Sequence, residues 1–163
     1  MNKQTVAKVV VACVLLGLAA FFFVKLRPAG GSRDEQAFFY DLSAQKLFVA
    51  ARTSIAPIRG IDNAEMDGVR AIVITTSGDP KDKASQKVAY LEKYAPELKQ
   101  VLEAVQAGNA AAVPSHQVRQ GLTFVKRVSD AAWHPVNTPE GEKIMTEWQV
   151  PGPGGKVPAI CSP

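Results

Sequence analysis

The sequence predicts a small α+β domain carried on an N-terminal transmembrane helix. Three observations point there. An uncharged run near the N-terminus is long enough to cross a bilayer. Short aromatic and β-branched runs are bounded by turn residues, and a later stretch repeats its apolar residues at helical spacing. The expected soluble part is a mixed or antiparallel sheet with one long, kinked helix and one short one.

From Val9 to Val24 no side chain is charged or strongly polar, and Val6 and Leu26 extend the run past Lys8 and Lys25. Lysines at such ends lay their methylenes along hydrocarbon and lift the ammonium to the interface. Val6 to Leu26 therefore reads as one spanning helix of roughly 20 residues, and the lipid bilayer is its partner. A cleaved signal peptide, cut before Ala20, strands Phe21, Phe22 and Phe23 at the new terminus. A lipoprotein reading rests on Val10-Val11-Ala12-Cys13, which has almost no apolar run before the cysteine; Cys13 reads instead as a small membrane-facing residue. A pilin-like leader lacks its processing site and its early acidic residue, and Pro28-Ala29-Gly30-Gly31 breaks the helix. Lys3 and Lys8 precede the span while Lys25, Arg27 and Arg33 follow it, a count that slightly favours a cytoplasmic C-terminal part. The short N-terminal tail matches an uncleaved signal anchor, and we expect a single pass through a bacterial inner membrane with a periplasmic C-terminal domain.

The organisation that follows is an anchor over 1–27, a Pro/Gly linker over 28–36, a soluble domain over 37–150 and a Pro/Gly-rich tail over 151–163. The net charge of +4 belongs to the anchor. Setting aside its five flanking basic residues leaves 14 Lys/Arg against 15 Asp/Glu, so the basic excess faces lipid headgroups and no nucleic acid is expected as partner. Cys161 is the only cysteine beyond the span, which rules out a disulfide within the domain and leaves it free or cross-linked between chains.

Along the domain, Ala37 to Asp41 and Lys46 to Ala50 bracket a turn as a β-hairpin, with Phe38 and Tyr40 on one face and Phe39 on the other. Arg52 to Ile58 continues extended, biased by Pro57 toward an edge or a polyproline-like segment. Gly68 to Thr76 is the candidate central strand. From Asp82 to Gln106, Val88, Leu91, Tyr94, Leu98, Val101, Leu102 and Val105 recur at three and four, predicting a helix kinked at Pro96. Asn109 to Gln120 carries little signal, and Leu122 to Val128 is a further strand. Thr138-Pro139 starts a short helix with a hydroxyl cap and proline at its first position. The tail is expected to wrap the surface or stay mobile.

Chemistry is sparse. His116 and His134 stand apart with no ligand spacing, so no metal and no cofactor are expected. Ser43-Ala44-Gln45-Lys46 has the S-x-x-K spacing, but in a hairpin turn that spacing does not bring the lysine to the serine. Thr75 to Lys83 places a small-residue loop before the expected helix, an arrangement able to hold an anion, although Asp79 and Asp82 oppose one. Asp62, Glu65 and Asp67 lack the glycine and closing glutamate of a calcium loop. No catalytic set emerges, and the protein is not expected to be an enzyme. Phe38, Tyr40, Phe48, Trp133 and Trp148 form the candidate interface set.

FFYDLSAQKLF, GVRA, YLEKYAPE, Trp133 followed by TPEGEKIM, and the terminal Cys161-Ser162-Pro163 resemble small single-pass membrane proteins of planctomycete-type bacteria. The resemblance spans most of the soluble region and contains no catalytic signature. Relatives of that kind often carry cysteines just after the GVRA strand, where this chain has Thr75, Thr76 and Ser77. The expected function is that of an accessory or structural subunit, acting by protein contact in an envelope or membrane complex. The alternatives are a small-ligand binder or enzyme using the Thr75 to Lys83 loop or Cys161, and a pilin-like filament subunit.

Overall fold

Seven strands form one antiparallel sheet with three helices, in a computed structural model that describes residues 35–62, 64–109, 113–152 and 155–163. The chain is α+β. The expected membrane span and the Pro/Gly linker up to Asp34 lie outside the described residues. Among the described residues no helix is long and apolar enough to cross a membrane.

Strand β1 (Gln36–Asp41) and β2 (Lys46–Ala51) form the expected hairpin, in unbroken register from Gln36 opposite Ala51 to Asp41 opposite Lys46. Its turn is built on the buried Asp41 carboxylate, which accepts from Ser43 Oγ (2.9 Å), Ala44 N (2.7 Å) and Ile61 N (2.6 Å). These donors hold the Asp41 carboxyl below its ordinary pKa, the Ala44 amide most strongly. Gln45 takes the left-handed conformation, φ 53°, that closes the turn.

The segment after the hairpin corrects one expectation. The described residues between 52 and 67 form no strand. They fold as an irregular loop whose one ladder bridge to the sheet is Ile58 with Gly68, and whose Ala56 carbonyl accepts from Tyr94 N at 3.3 Å. Ala56 and Ile58 from this loop pack with Phe39, Phe48 and Ala37, so the loop itself covers that face of the hairpin. Gly68 is needed at this crossing, because a Cβ there would lie 2.9 Å from the Phe48 ring and 3.1 Å from the Arg59 carbonyl.

Strand β3 (Gly68–Thr75) is central, as its β-branched run predicts, with β1 on one side and β4 on the other. Strand β4 is the largest correction: Gln86–Tyr94 is a nine-residue strand, not the first half of a helix. The cause is a bulge. Ile72 pairs with Tyr90 and Val73 with Val88, so Ala89 is an extra residue in the ladder. Val88 and Leu91, three apart, thus fall on one face of the sheet, and an interrupted period of two imitates a helical period. Only the second half of the expected helix exists, as α1 (Pro96–Gln106). Pro96 opens that helix, since its missing N–H and fixed φ suit the first helical turn.

Helix α2 (His116–Gly121) lies in the segment read as uninformative, where Ser115 Oγ accepts from Val118 N at 3.5 Å. Strand β5 (Thr123–Lys126) pairs with β4, and the two-residue β6 (His134–Pro135) with β5. Helix α3 (Pro139–Thr146) starts where expected, its cap Thr138 Oγ1 accepting from Gly141 N at 3.2 Å. Ile144 of α3 is buried with Val125 and Val136.

The tail does not end loose: β7 (Ala159–Ile160) pairs with β3, beside the stretch that β1 leaves open. Cys161 N donates to Val73 O at 2.9 Å, and its side chain is buried with Val69, Ala71, Val73 and Leu91.

Candidate functional site

The hairpin leaves β2 at the edge of the sheet, and its backbone parity is fixed by one bond. Arg52 N donates to Glu35 O at 2.7 Å. Antiparallel pairs alternate between bonded and non-bonded, so Lys46, Phe48 and Ala50 bond to β1 while Leu47 and Val49 direct N–H and C=O away from the sheet. Among the described residues no partner meets those four groups. The side chains of Leu47 and Val49 lie opposite Tyr40 and Phe38, and are 42% and 44% exposed. An edge of this length is ordinarily blunted by a proline, a bulge, an inward charge or lysines along it. β2 has no proline and no bulge, and its one charge, Lys46, stands at the start and leaves Leu47 to Ala51 without any.

The five candidate interface residues do not form one surface. Phe38 and Tyr40 are half-buried against the Val69, Ala71 and Val73 cluster, and Phe48 stacks obliquely on Phe39 with centroids 5.8 Å apart. Trp133 packs on the same cluster as Phe38 and Tyr40. Trp148 sits half-buried in the 3-10 turn Glu147–Gln149, where its indole N–H is buried with no acceptor among the described residues. The exposed apolar residues beside this set, Leu47 and Val49, were passed over by sequence reasoning. Their signal was present, since they alternate with Phe48 in KLFVAA.

A second feature is a cleft of about 490 Å³ where β4 runs into α1. Pro57, Met66, Pro96, Phe124 and Trp133 supply apolar walls, and Lys93 and Lys99 are its charged members. Lys93 and Phe124 are cross-strand partners on β4 and β5, and Lys126 lies opposite Leu91 one pair along. The Nζ atoms of Lys93 and Lys126 stand 4.5 and 5.3 Å from the Trp133 ring centre, a geometry in which the ring holds both cations. Burial pushes the Lys93 ammonium below its ordinary pKa, and the Lys126 charge adds to the fall. Lys99 is engaged by the Pro57 carbonyl and by Glu103 at 3.5 Å, and Lys126 by the Asp130 carbonyl at 3.0 Å. Among the described residues no carboxylate pairs with Lys93.

A smaller recess of about 190 Å³ is lined by Ser54, Arg70, Glu92 and Tyr94. Burial raises the Glu92 carboxyl above its usual range, more than Arg70 across the ladder and the Tyr94 hydroxyl lower it.

The Thr75 to Lys83 loop loses its anion-binding premise. It is followed by the single 3-10 turn Lys83–Ser85 and then by β4, not by a long helix. Asp79 Oδ1 accepts from Lys81 N (2.9 Å) and Asp82 Oδ1 from Ala84 N (3.1 Å), so the loop's carboxylates hold its own amides. Cys161 is a free, buried thiol whose pKa burial pushes up, the reverse of what a nucleophile needs. No group of His, Cys, Asp and Glu able to hold a metal occurs among the described residues.

The described residues form a small α+β fold with a sheet edge that none of them covers and an apolar cleft. Comparison with protein-family models, curated proteins and solved structures returned no match.

Proposed function

We propose that this chain is an accessory or structural subunit of a bacterial envelope or membrane complex, tethered through Val6 to Leu26 and acting by protein contact through strand β2. The periplasmic side of an inner membrane remains the expected place of the head. The observation that carries this reading is the β2 edge, free of proline and bulge, with outward backbone groups and exposed side chains at Leu47 and Val49. A partner strand laid along it gains main-chain hydrogen bonds, and the exposed apolar side chains give it a face to read. A catalytic reading has less support, because the loop's carboxylates hold its own amides and the cysteine is buried.

Purification of the full-length protein at native expression in mild detergent tests the proposal. The wild type is expected to bring a stoichiometric partner with it, and Leu47→Lys with Val49→Lys to lose that partner while the head stays folded. Recovery of the wild type alone and monomeric overturns the reading.

A further inference from the structure

The cleft at the β4–α1 corner has a charge and shape that the contact reading does not use. Its volume of about 490 Å³ falls within the range of small-molecule sites. It is roughly three times the apolar cavity that accommodates benzene, which sets an upper limit of about 20 heavy atoms on a ligand. Its walls come from five separate parts of the chain: the loop before β3 with Pro57 and Met66, the end of β4 with Lys93, the start of α1 with Pro96, β5 with Phe124, and the loop after β5 with Trp133.

Two features of the cleft are complementary to an anion. Lys93 lines it with no carboxylate partner among the described residues. Lys126 stands against the same indole, so two like charges share one ring, and among the described residues neither is neutralised by a carboxylate. An anionic group beside Lys93 relieves the repulsion between the lysines and pairs a partly desolvated ammonium.

We propose that this cleft binds a small apolar monoanion, its carboxylate against Lys93 and its hydrocarbon or aromatic body between Trp133, Phe124, Met66 and Pro57. Two strands separate β4 from β2, so the site stands apart from the docking edge and its failure leaves the contact reading intact.

The test uses the full-length chain in nanodiscs of zwitterionic lipid, with 15N-labelled tryptophan. The Trp133 indole signal is assigned by its loss in Trp133→Phe. The probe is 4-phenylbutyrate, with 4-phenylbutanamide as its uncharged counterpart and empty nanodiscs as blank. Saturable movement of the Trp133 signal is expected, with Trp148 unmoved and half-saturation in the millimolar range that about a dozen heavy atoms give. The amide is expected to bind about tenfold more weakly, the scale of one charge-assisted hydrogen bond. Lys93→Gln is expected to abolish this preference and Lys93→Arg to keep it. Absence of a saturable Trp133 shift, or equal binding of carboxylate and amide by the wild type, overturns the proposal.

Discussion

Replacing Gly141 by alanine reverses the usual sign of such a change. In a helix interior, Gly to Ala ordinarily stabilises by about 1 kcal/mol. Gly141 is the third residue of α3, and it is buried where that helix crosses β6. A Cβ there falls on the Pro135 carbonyl oxygen, nearer than real Cβ contacts come, and lies 2.9 Å from the Pro135 carbonyl carbon and 3.0 Å from Val136 Cα. All three atoms are backbone, so no side chain can swing aside. The same carbonyl accepts from Thr138 Oγ1 at 2.7 Å and from Thr138 N at 3.1 Å, so moving it also disturbs the helix cap. Overpacking of this kind costs about 1–3 kcal/mol, and rigid backbone places it at or above the upper end. Against the helical gain, a net loss of about 2 kcal/mol is expected. In a urea titration of the full-length protein followed by tryptophan fluorescence, that lowers the midpoint by roughly 1–2 M. An unchanged or raised midpoint refutes the close approach of α3 to Pro135, and with it the placement of the Trp133 loop that the approach fixes.

Other outcomes follow from single groups. Burial raises Glu92 above its unfolded value of about 4.3, so the folded chain holds that proton more tightly. Its contribution to stability is complete below the unfolded pKa and lost as pH rises through the raised one. Glu92→Gln is therefore expected to gain thermal stability over wild type at pH 8 compared with pH 4, and a pH-independent difference contradicts the burial argument. Arg127 joins β5 to α3 and the following turn through Asp130 (3.0 Å), Glu140 (3.0 Å) and Glu147 (2.5 and 2.7 Å). Its side chain is 27% exposed, so Arg127→Met is expected to cost only about 1 kcal/mol, and less in 1 M salt. Equal loss at both salt concentrations argues against an ionic origin. Cys161 is expected to react with iodoacetamide slowly in the native protein at pH 8 and rapidly in urea; fast native labelling places it outside the Val69 cluster.

How much of this was legible in the sequence depended on whether a local period survived intact. The hairpin, the central strand from Gly68 and the Thr138-Pro139 helix start carry their own turn or cap chemistry, and the fold follows them. At β4 the bulge residue Ala89 shifts the alternation by one, so that Val88 and Leu91 take the spacing of a helix. That single inserted residue also hid the cleft. Only when residues 86–94 form a strand does Lys93 stand across from Phe124 and beside Lys126. The β7 pairing was beyond local reading, because two residues gain strand geometry only from the edge of β3 that β1 leaves free. The Trp133 placement likewise depends on a cluster drawn from β3, β4 and the C-terminal tail together.

The contact role of β2 is tested most directly by site-specific photo-cross-linking in cells. A benzoylphenylalanine at Val49, whose outward backbone and half-exposed side chain put it on the edge, is compared with one at the exposed Glu103 of α1. The account predicts a discrete heavier adduct from position 49, lost with Leu47→Lys, and none from position 103. An unreacted monomer at position 49, or the same adducts from both positions, contradicts it.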